Sequence, residues 1–282
     1  MTQFFNTLQQ IKSSESVGMV RGVYRHLQWQ FRRQFNGFPC ELKVGNSTLY
    51  VERPNGVAAL VNAMGEYDFN NMSLLRLLLS QGKATFFDIG ANIGTYTLIA
   101  SEAAHATVVS FEPHPKTFAR LRENVQRNVR ENVLSLNLAL SSEAGEVRLT
   151  DVSESSINRV VSAEENSVGV IRVPCRRVDT ICRELNLTPD FVKIDVEGFE
   201  DAVLKGFGGY AGTAKLIFIE GGERQEVQGW MENSGYTGPW YSVFKGRFFS
   251  AKKQRRAEDP VFIHNRFLSE LRGLGFEIPR TS

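Results

Sequence analysis

The chain has 282 residues, a hydrophobic fraction of 42%, a charged fraction of 23% and a formal net charge of +2. These values are typical of a globular protein with a sizeable core, and the balanced charge argues against nucleic-acid binding, which needs a clustered basic face. The three cysteines and four histidines show no spacing of a disulfide framework or zinc site, and no apolar run reaches the roughly 20 residues of a membrane span. We therefore expect a reduced, cytoplasmic protein without a secretory leader.

The N-terminal segment differs in composition from the rest of the chain. Between Val20 and Phe35, arginines alternate with aromatic and aliphatic residues, and no acidic residue intervenes. The favoured interpretation is a helix whose aromatic residues cap the domain and whose arginines are solvated. The alternative is a basic amphipathic segment that contacts an anionic membrane at its inner face. Two short alternating segments in 44–64 predict a small β element, so we expect an N-terminal extension over 1–64 and a main domain over 65–282.

A helix is predicted over 67–81, and from residue 84 onward strand-like and helix-like segments alternate. This alternation is the pattern of a parallel α/β sheet. The predicted strands are 84–89, 106–111, 133–140, 190–198 and 214–220, followed by a late antiparallel pair at 240–244 and 260–265. A second basic segment, 245–256, lies between the late strands. It is interpreted as a solvated loop, with attraction of anionic substrates or lipid head groups as the alternative.

The segment "TFFDIGANIGTYTLIAS" places a glycine turn between the first main-domain strand and a helix. Such a turn lets the backbone approach a nucleotide-bearing cofactor, and the following helix presents free N–H groups. The dinucleotide fingerprint GxGxxG requires glycine where this chain has Asn92, because its glycines are Gly90 and Gly94. Asp88 would repel a pyrophosphate, but it suits the ammonium group of S-adenosylmethionine, which carries no phosphate.

An acidic residue, Glu112, ends the next predicted strand. A carboxylate there can accept hydrogen bonds from both ribose hydroxyls of a cofactor. NAD-binding folds use an acid at the same place, so Glu112 alone does not discriminate between cofactors. Together with Asp88 and the GxxxG spacing of the turn, it indicates S-adenosylmethionine.

A second group of ionisable residues ends the fourth predicted strand. Lys193, Asp195 and Glu197 alternate along it and share one face. The carboxyl ends of strands carry the ligand crevice of an open α/β sheet, so these residues are candidates for proton transfer with a substrate hydroxyl. The alternative is a salt-bridged strand end without function. Glu220, at the end of the next strand, could join Asp195 and Glu197 in an Mg²⁺ site, which is not favoured.

Four segments together closely resemble the FkbM family of S-adenosylmethionine-dependent methyltransferases. They are "FFDIGANIGTYTLIAS", "VVSFEPHP", "VPCRRVDTICRELNLTPDFVKIDVEGFEDAVLKG" and "KLIFIEGG". The resemblance covers roughly 65–222. It implies a Rossmann-like, seven-stranded, mostly parallel sheet with one antiparallel strand, and O-methylation of a hydroxyl.

The resemblance also implies roles for individual residues. Around the methionine part of the cofactor it places Asp88, Gly90, Asn92, Gly94 and Tyr96. It places Glu112 at the ribose, Asn137 or Ala139 near the adenine, and Lys193, Asp195 and Glu197 toward the transferred methyl group. Asp195 is expected to act as the base or to orient the acceptor, with Glu197 as second choice and Lys193 tuning its charge.

The expected acceptor is a sugar hydroxyl of a surface glycan, a glycolipid or a natural product, as in polysaccharide biosynthesis. Residues 151–169 are expected to act as a lid that carries substrate contacts, although their composition also fits an ordinary exposed loop. Two other functions stay open, an NAD-dependent sugar oxidoreductase or epimerase and a non-catalytic scaffold. The sequence leaves the oligomeric state open.

Overall fold

The computed structural model describes residues 18–151, 158–161, 169–243, 246–250 and 259–278. Its N-terminal part holds, in chain order, α1 (Met19–Gln34), β1 (Cys40–Val44), β2 (Ser47–Val51), α2 (Gly56–Met64) and α3 (Phe69–Ser80). The predicted helices at 20–35 and 67–81 are present as α1 and α3. Strands β1 and β2 form an antiparallel hairpin, whereas the second half of the predicted β element is the helix α2. The side chain of Asn55 caps α2 by accepting the Ala58 N–H at 2.8 Å, and this capping outweighs the alternating pattern.

The rest of the described chain alternates strands and helices. The strands are β3 (Ala84–Ile89), β4 (Ala106–Phe111), β5 (Val133–Leu136), β6 (Ala139–Leu140), β7 (Gly145–Thr150), β8 (Val170–Arg176), β9 (Phe191–Ile194), β10 (Leu216–Ile219), β11 (Tyr236–Val243), β12 (Arg247–Ser250) and β13 (Val261–His264). The helices are α4 (Thr95–Ser101), α5 (Pro115–Arg127), α6 (Val178–Leu185), α7 (Glu200–Lys205), α8 (Gln225–Asn233) and α9 (Leu268–Gly273). Among the helices in these ranges, none combines the length and the hydropathy needed to cross a bilayer.

The main sheet has eight strands in the order β12-β11-β13-β10-β9-β3-β4-β5. Strands β10, β9, β3, β4 and β5 are parallel neighbours, and β13 lies antiparallel between β10 and β11. The predicted seven-stranded, mostly parallel sheet with one antiparallel strand is therefore confirmed. Strand β12 adds an eighth, antiparallel to β11.

The interpretation of 245–256 as a solvated loop is wrong for β12. Phe248 of this strand is buried and packs against Phe276 with 5.5 Å between ring centroids. This apolar contact fixes part of the segment to the protein, although most of its residues are basic or polar. Residues 244–245 and 251–258, which hold most of the basic side chains of that segment, lie outside the described residues.

A second, three-stranded sheet has the order β6-β8-β7. The predicted strand 133–140 is therefore two strands, because the chain leaves the main sheet after β5 and β6 pairs with β8. Strands β7 and β8 form an antiparallel pair in what the sequence indicated as an irregular region. Of the predicted lid at 151–169, residues 152–157 and 162–168 lie outside the described residues.

Two apolar clusters cover the two faces of the main sheet. Successive residues of β3 belong to different clusters, Phe86 to one and Phe87 to the other, as the alternation of side chains along a strand requires. Leu49 of the hairpin and Leu75 of α3 join the Phe86 cluster, so the N-terminal elements pack on that face. This packing leaves the carboxyl ends of β3, β4 and β9 accessible at one edge.

Candidate active site

A pocket opens where strands β3, β4 and β9 end. The sequence-predicted residues that line it are Asp88, Gly90, Asn92, Tyr96, Glu112, Ala139, Lys193, Asp195 and Glu197. These residues come from segments far apart in the chain, and the parallel order of the strands brings them to one edge. Gly94 and Asn137 contribute to the same region through backbone conformation and hydrogen bonds rather than as lining residues.

In the glycine turn after β3, every second residue from Gly90 to Gly94 has a positive φ angle. Gly90 has φ +83°, and a Cβ at this position would lie 1.9 Å from the carbonyl oxygen of Asp195. Gly94 has φ +97° and immediately precedes α4. Asn92 stands between them with φ +52°, a conformation that asparagine tolerates better than most residues. The turn after β3 is therefore packed directly against the chain that follows β9.

Asp88 is buried at the end of β3 and held by hydroxyl groups. Its Oδ2 accepts a hydrogen bond from Thr97 Oγ1 at 2.5 Å, and Thr97 Oγ1 lies 2.7 Å from Ser110 Oγ. Burial raises the pKa of Asp88 to about 6, although the Thr97 hydrogen bond and the charge of Lys193 oppose the shift. Asp88 thus offers a fixed carboxyl group beside the turn.

Glu112 is held by backbone N–H groups on both oxygens. The N–H of Asn92 donates to Oε2 and the N–H of His114 donates to Oε1, each at 2.9 Å. Burial raises the pKa of Glu112 to about 7 despite these two hydrogen bonds. Asn137 Nδ2 donates to the carbonyl oxygens of Glu112 and Pro113 at 2.8 and 2.9 Å, so Asn137 braces the segment that carries Glu112.

Lys193 lies at the centre of a buried charged group. Its Nζ is 3.0 Å from Asp195 Oδ2 and 2.8 Å from Asp259 Oδ2, and it lies 5.5 Å from the ring centroid of Tyr96. Burial lowers the pKa of Lys193, but the charges of Asp195 and Asp259 outweigh it and raise the pKa well above its ordinary value. The Tyr96 hydroxyl donates a hydrogen bond to the buried Asp68, and Tyr96 also lines the pocket.

Asp259 is a site residue that the sequence analysis missed. It precedes β13, which runs antiparallel to β10, and the start of an antiparallel strand lies at the same edge as the carboxyl ends of its parallel neighbours. That placement is the signal that could have identified it. Its backbone oxygen accepts a hydrogen bond from Asn71 Nδ2 at 2.8 Å, which ties the start of β13 to α3.

Three carboxyl groups meet beside this ion pair. Asp195, Glu197 and Glu220 each offer an oxygen within 4.8 Å of the others, as expected from their positions after β9 and β10. Burial and the charge of Asp195 raise the pKa of Glu197 to about 7 and that of Glu220 to about 8. Glu197 also has φ +53°, an uncommon backbone conformation for glutamate that is enriched at functional sites. This edge of the pocket concentrates negative charge.

The rest of the pocket wall is mostly apolar. Residues that the sequence analysis did not single out here are Val57, Tyr67, Leu138, Leu140, Leu149 and Phe199. The predicted lid segment contributes Asn158 and Val160. The sequence around these residues did not indicate that they line the pocket. Tertiary packing brings the first turn of α2 and the segment between β6 and β8 to the pocket, and local sequence patterns do not reveal such packing.

The lining residues fit S-adenosylmethionine better than a dinucleotide. Asp88 places a buried carboxyl group beside the glycine turn, where a dinucleotide would bring its pyrophosphate, whereas Glu112, after β4, can bind the ribose of either cofactor. Carboxyl groups attract an ammonium group and accept hydrogen bonds from ribose hydroxyls, whereas they repel phosphate.

Comparisons with known proteins identify relatives of the chain. A model of the family "Methyltransferase FkbM domain" matches residues 88–278. The hexuronic acid methyltransferase AglP from Haloferax volcanii is 31% identical over 152 residues, which are 52% of this chain and 60% of that protein. The chain thus spans less than two thirds of the length of this curated relative.

Solved structures show more distant similarity. The precorrin-6y C5,15-methyltransferase from Geobacter metallireducens GS-15 has a TM-score of 0.40 at 18% identity, covering 70% of this chain and 86% of that chain. TYW2 from M. jannaschii, in complex with AdoMet, has a TM-score of 0.41 at 13% identity, covering 79% and 85%. These scores are too low to support an argument. The family model, in contrast, covers about two thirds of the sequence, and the chain therefore belongs to the FkbM methyltransferase family.

Proposed function

We propose that the chain transfers a methyl group from S-adenosylmethionine to a hydroxyl oxygen of a sugar. The observation that carries this proposal is that Gly90 and Glu112 on one side, and Asp195 and Glu197 on the other, line a single pocket. A site for a methyl donor and a set of proton-accepting groups are thereby adjacent. Membership of the FkbM family supports the same reaction.

The cofactor is held by the ends of β3 and β4. The carboxyl group of Asp88 and the turn at Gly90 face the methionine part, and Glu112 accepts hydrogen bonds from the ribose hydroxyls. Ala139 borders the adenine side, and Asn137 keeps Glu112 in position. When bound, S-adenosylmethionine supplies an activated methyl group on a positively charged sulfur.

Glu197 takes the proton of the acceptor hydroxyl, and Asp195 orients the acceptor. A general base works best when its pKa lies near the working pH, and the pKa of Glu197 is raised to about 7. Asp195 is fixed by the Lys193 ammonium at 3.0 Å, which suits a positioning role. As the acceptor oxygen is methylated, the hydroxyl proton passes to the Glu197 carboxylate.

A sugar acceptor is supported by two observations. The relative AglP is named as a hexuronic acid methyltransferase. Hydroxyl groups also donate hydrogen bonds to carboxylates, and Asp195, Glu197 and Glu220 supply several of them at the proposed acceptor side. We place the methylated atom at a hydroxyl oxygen that faces these carboxyl groups, with any carboxylate of the sugar directed away from them, so that the product is a methyl ether.

No metal ion enters this mechanism. Asp195, one of the three carboxyl groups that could bind Mg²⁺, already has the Lys193 ammonium as its counter-ion. Turnover is accordingly expected to be unchanged by a chelator.

We also propose that the acceptor is carried at an anionic membrane surface, which the basic segment at 20–35 favours.

Substitution of Glu197 tests the proposed base. We expect Glu197→Gln to lower kcat/KM by about 10²–10⁴ and to abolish the rise of the rate as the pH passes through about 7. Asp195→Asn is expected to act mainly through a higher KM for the acceptor. The measurements are transfer of a labelled methyl group over nucleotide sugars and lipid-linked glycans, with and without chelator, together with cofactor affinity by calorimetry.

Glu226→Gln is the matched control, since Glu226 is an exposed glutamate in the first turn of α8. Full turnover of Glu197→Gln at normal cofactor affinity would show that Glu197 is not the base. A product that is hydrolysed by mild alkali would be a methyl ester and would refute hydroxyl transfer. Binding of NAD instead of S-adenosylhomocysteine would favour the oxidoreductase alternative.

A further inference from the structure

Among the described residues, helix α1 contacts the rest of the protein through one face. Its buried residues are Gly22, His26 and Trp29, and Trp29 packs edge-on against Phe38 with 5.1 Å between ring centroids. The side chain of Asn62, in α2, donates to the backbone oxygen of Arg25 at 2.7 Å. The helix is therefore anchored with a defined orientation, and its opposite face is directed away from the domain.

That outward face is apolar rather than polar. Val20, Tyr24, Leu27, Phe31 and Phe35 are 86%, 61%, 53%, 64% and 61% exposed. Their spacing of four, three, four and four residues places them in one line along the helix. In the described part of the chain, six of the ten large hydrophobic residues that are exposed lie in 19–35. Such a continuous apolar stripe marks an interaction surface.

Arginines border this stripe. Arg21, Arg25 and Arg32 flank it on one side, since each follows a stripe residue by one position, whereas Arg33 lies on the opposite side of the helix, and no acidic residue occurs between Val20 and Phe35. Within the described ranges, neither Arg21 nor Arg33 forms an ion pair with a carboxylate. The favoured sequence interpretation, with the aromatic residues capping the domain, therefore holds for Trp29 but not for Tyr24, Phe31 and Phe35.

We propose that α1 is an in-plane membrane anchor that inserts its apolar stripe into the interface of an anionic lipid bilayer. A helix with Phe and Leu on one face and arginines beside them binds such an interface through apolar burial and attraction to anionic head groups. A second copy of the chain fits less well, because stripe-to-stripe packing would bring two rows of arginines together without an acidic partner. The charge pattern thus selects the lipid surface.

The anchor lies close to the candidate active site. Val57, in the first turn of α2, lines the pocket, and Asn62, which binds α1, is five residues further along the same helix. At 1.5 Å per residue the two are about 8 Å apart along the axis. A membrane-bound α1 therefore holds the pocket near the bilayer surface, where a lipid-linked sugar would be presented.

Vesicle co-sedimentation of the full chain tests the anchor. We expect binding to phosphatidylcholine vesicles that contain phosphatidylglycerol, and little binding to phosphatidylcholine alone. The double variant Leu27→Ser/Phe31→Ser should abolish binding. The double variant Arg21→Glu/Arg25→Glu should weaken the affinity for vesicles at least 25-fold, because each arginine near the surface contributes about fivefold to that affinity. Both pairs are exposed or partly exposed surface positions, and circular dichroism checks that the variants fold.

The matched controls are Leu77→Ser/Leu134→Ser and Lys83→Glu/Arg122→Glu, which change exposed residues outside α1. They should bind vesicles like the parent chain. The proposal is overturned if the parent chain does not bind, if the α1 variants bind normally, or if neutral vesicles bind equally well. It is also overturned if light scattering shows a dimer that the Leu27→Ser/Phe31→Ser change dissociates. Vesicle binding is measured without cofactor or acceptor. Failure of the proposed methyl transfer would therefore not change the outcome of the vesicle experiment.

Discussion

Gly90 is the residue at which the two halves of the pocket meet. A Cβ there would lie 1.9 Å from the Asp195 carbonyl oxygen, so a side chain would push the turn after β3 away from the chain after β9. We expect Gly90→Ala to lower the free energy of unfolding by about 3 kcal/mol or more, as strain of the left-handed backbone adds to overpacking. It should also abolish cofactor binding. Urea unfolding and calorimetry measure the two effects.

Gly275 offers a matched control for this change. It has φ +88°, close to that of Gly90, and it follows α9 at a helix end where the Phe276 N–H donates to the Leu271 carbonyl oxygen, but a Cβ there would meet no atom within 4 Å. Gly275→Ala should therefore show the backbone cost alone, about 1–2 kcal/mol, with normal cofactor affinity. Equal losses of stability in the two variants would mean that the contact with Asp195 does not constrain the turn.

Glu112 should make cofactor affinity depend on pH. Burial raises its pKa to about 7, so the carboxylate is protonated progressively as the pH falls from 8 to 6. Since the ionised form is the better acceptor for two ribose hydroxyls, the Kd for S-adenosylhomocysteine should rise about tenfold over this range. Calorimetry at pH 6, 7 and 8 measures it.

Glu112→Gln provides the comparison, because its amide does not titrate. We expect weaker binding at pH 8 and a Kd that changes only about twofold between pH 8 and pH 6, because Asp88, with its pKa of about 6, still titrates. A parent chain whose affinity is equal at pH 6 and pH 8 would exclude Glu112 as the group that binds the ribose in its ionised form.

At the scale of elements, the ends of β9 and β10 bring acidic residues together at a cost in stability. The pKa of Glu220 is raised to about 8 by burial and by the charges of Asp195 and Glu197. A carboxyl group with a raised pKa binds its proton more tightly in the folded state, so stability decreases as the pH rises from about 4.5 through 8. In alkaline solution the ionised Glu220 is therefore repelled by Asp195 and Glu197, and this repulsion lowers the free energy of unfolding.

Glu220→Gln should relieve this repulsion. We expect it to raise the free energy of unfolding by about 2 kcal/mol at pH 9, allowing for solvent screening, and by only a few tenths at pH 5. Glu226→Gln should change neither value. Destabilisation of Glu220→Gln in the presence of Mg²⁺, but not of chelator, would contradict this expectation and show that the three carboxyl groups bind a cation.

The elements show which parts of the structure sequence patterns can predict. The GxxxG turn, Glu112 and the alternating Lys193–Glu197 segment were assigned to one sheet edge, because local spacing and the order of parallel strands determine that edge. The helix α2 was not predicted, because the short apolar segment is compatible with either a helix or a strand. A single hydrogen bond, from the Ala58 N–H to the side chain of Asn55, favours the helix. Asp259 was missed because its contact with Lys193 depends on the position of β13, which is set by tertiary packing.

At the scale of the whole molecule, cofactor binding should stabilise one edge of the sheet and leave the β1–β2 hairpin and α1 unchanged. The lining segments 88–96, 112–113 and 193–199 follow three neighbouring strands, whereas the hairpin β1–β2 lies outside the pocket wall. A ligand at 100 times its Kd adds about 2.7 kcal/mol to stability, which slows local opening where the ligand binds.

Hydrogen exchange with and without S-adenosylhomocysteine measures this distribution. We expect slower exchange of the amides in the three lining segments, including the Asn92 and His114 N–H groups that hold Glu112, and unchanged exchange in β1, β2 and α1. NAD at the same concentration should protect none of them. Protection that begins in β1, β2 or α1 would place the ligand elsewhere, whereas protection confined to the segments that line the pocket would tie the two buried carboxyl groups, Asp88 and Glu112, to one ligand bound across β3 and β4.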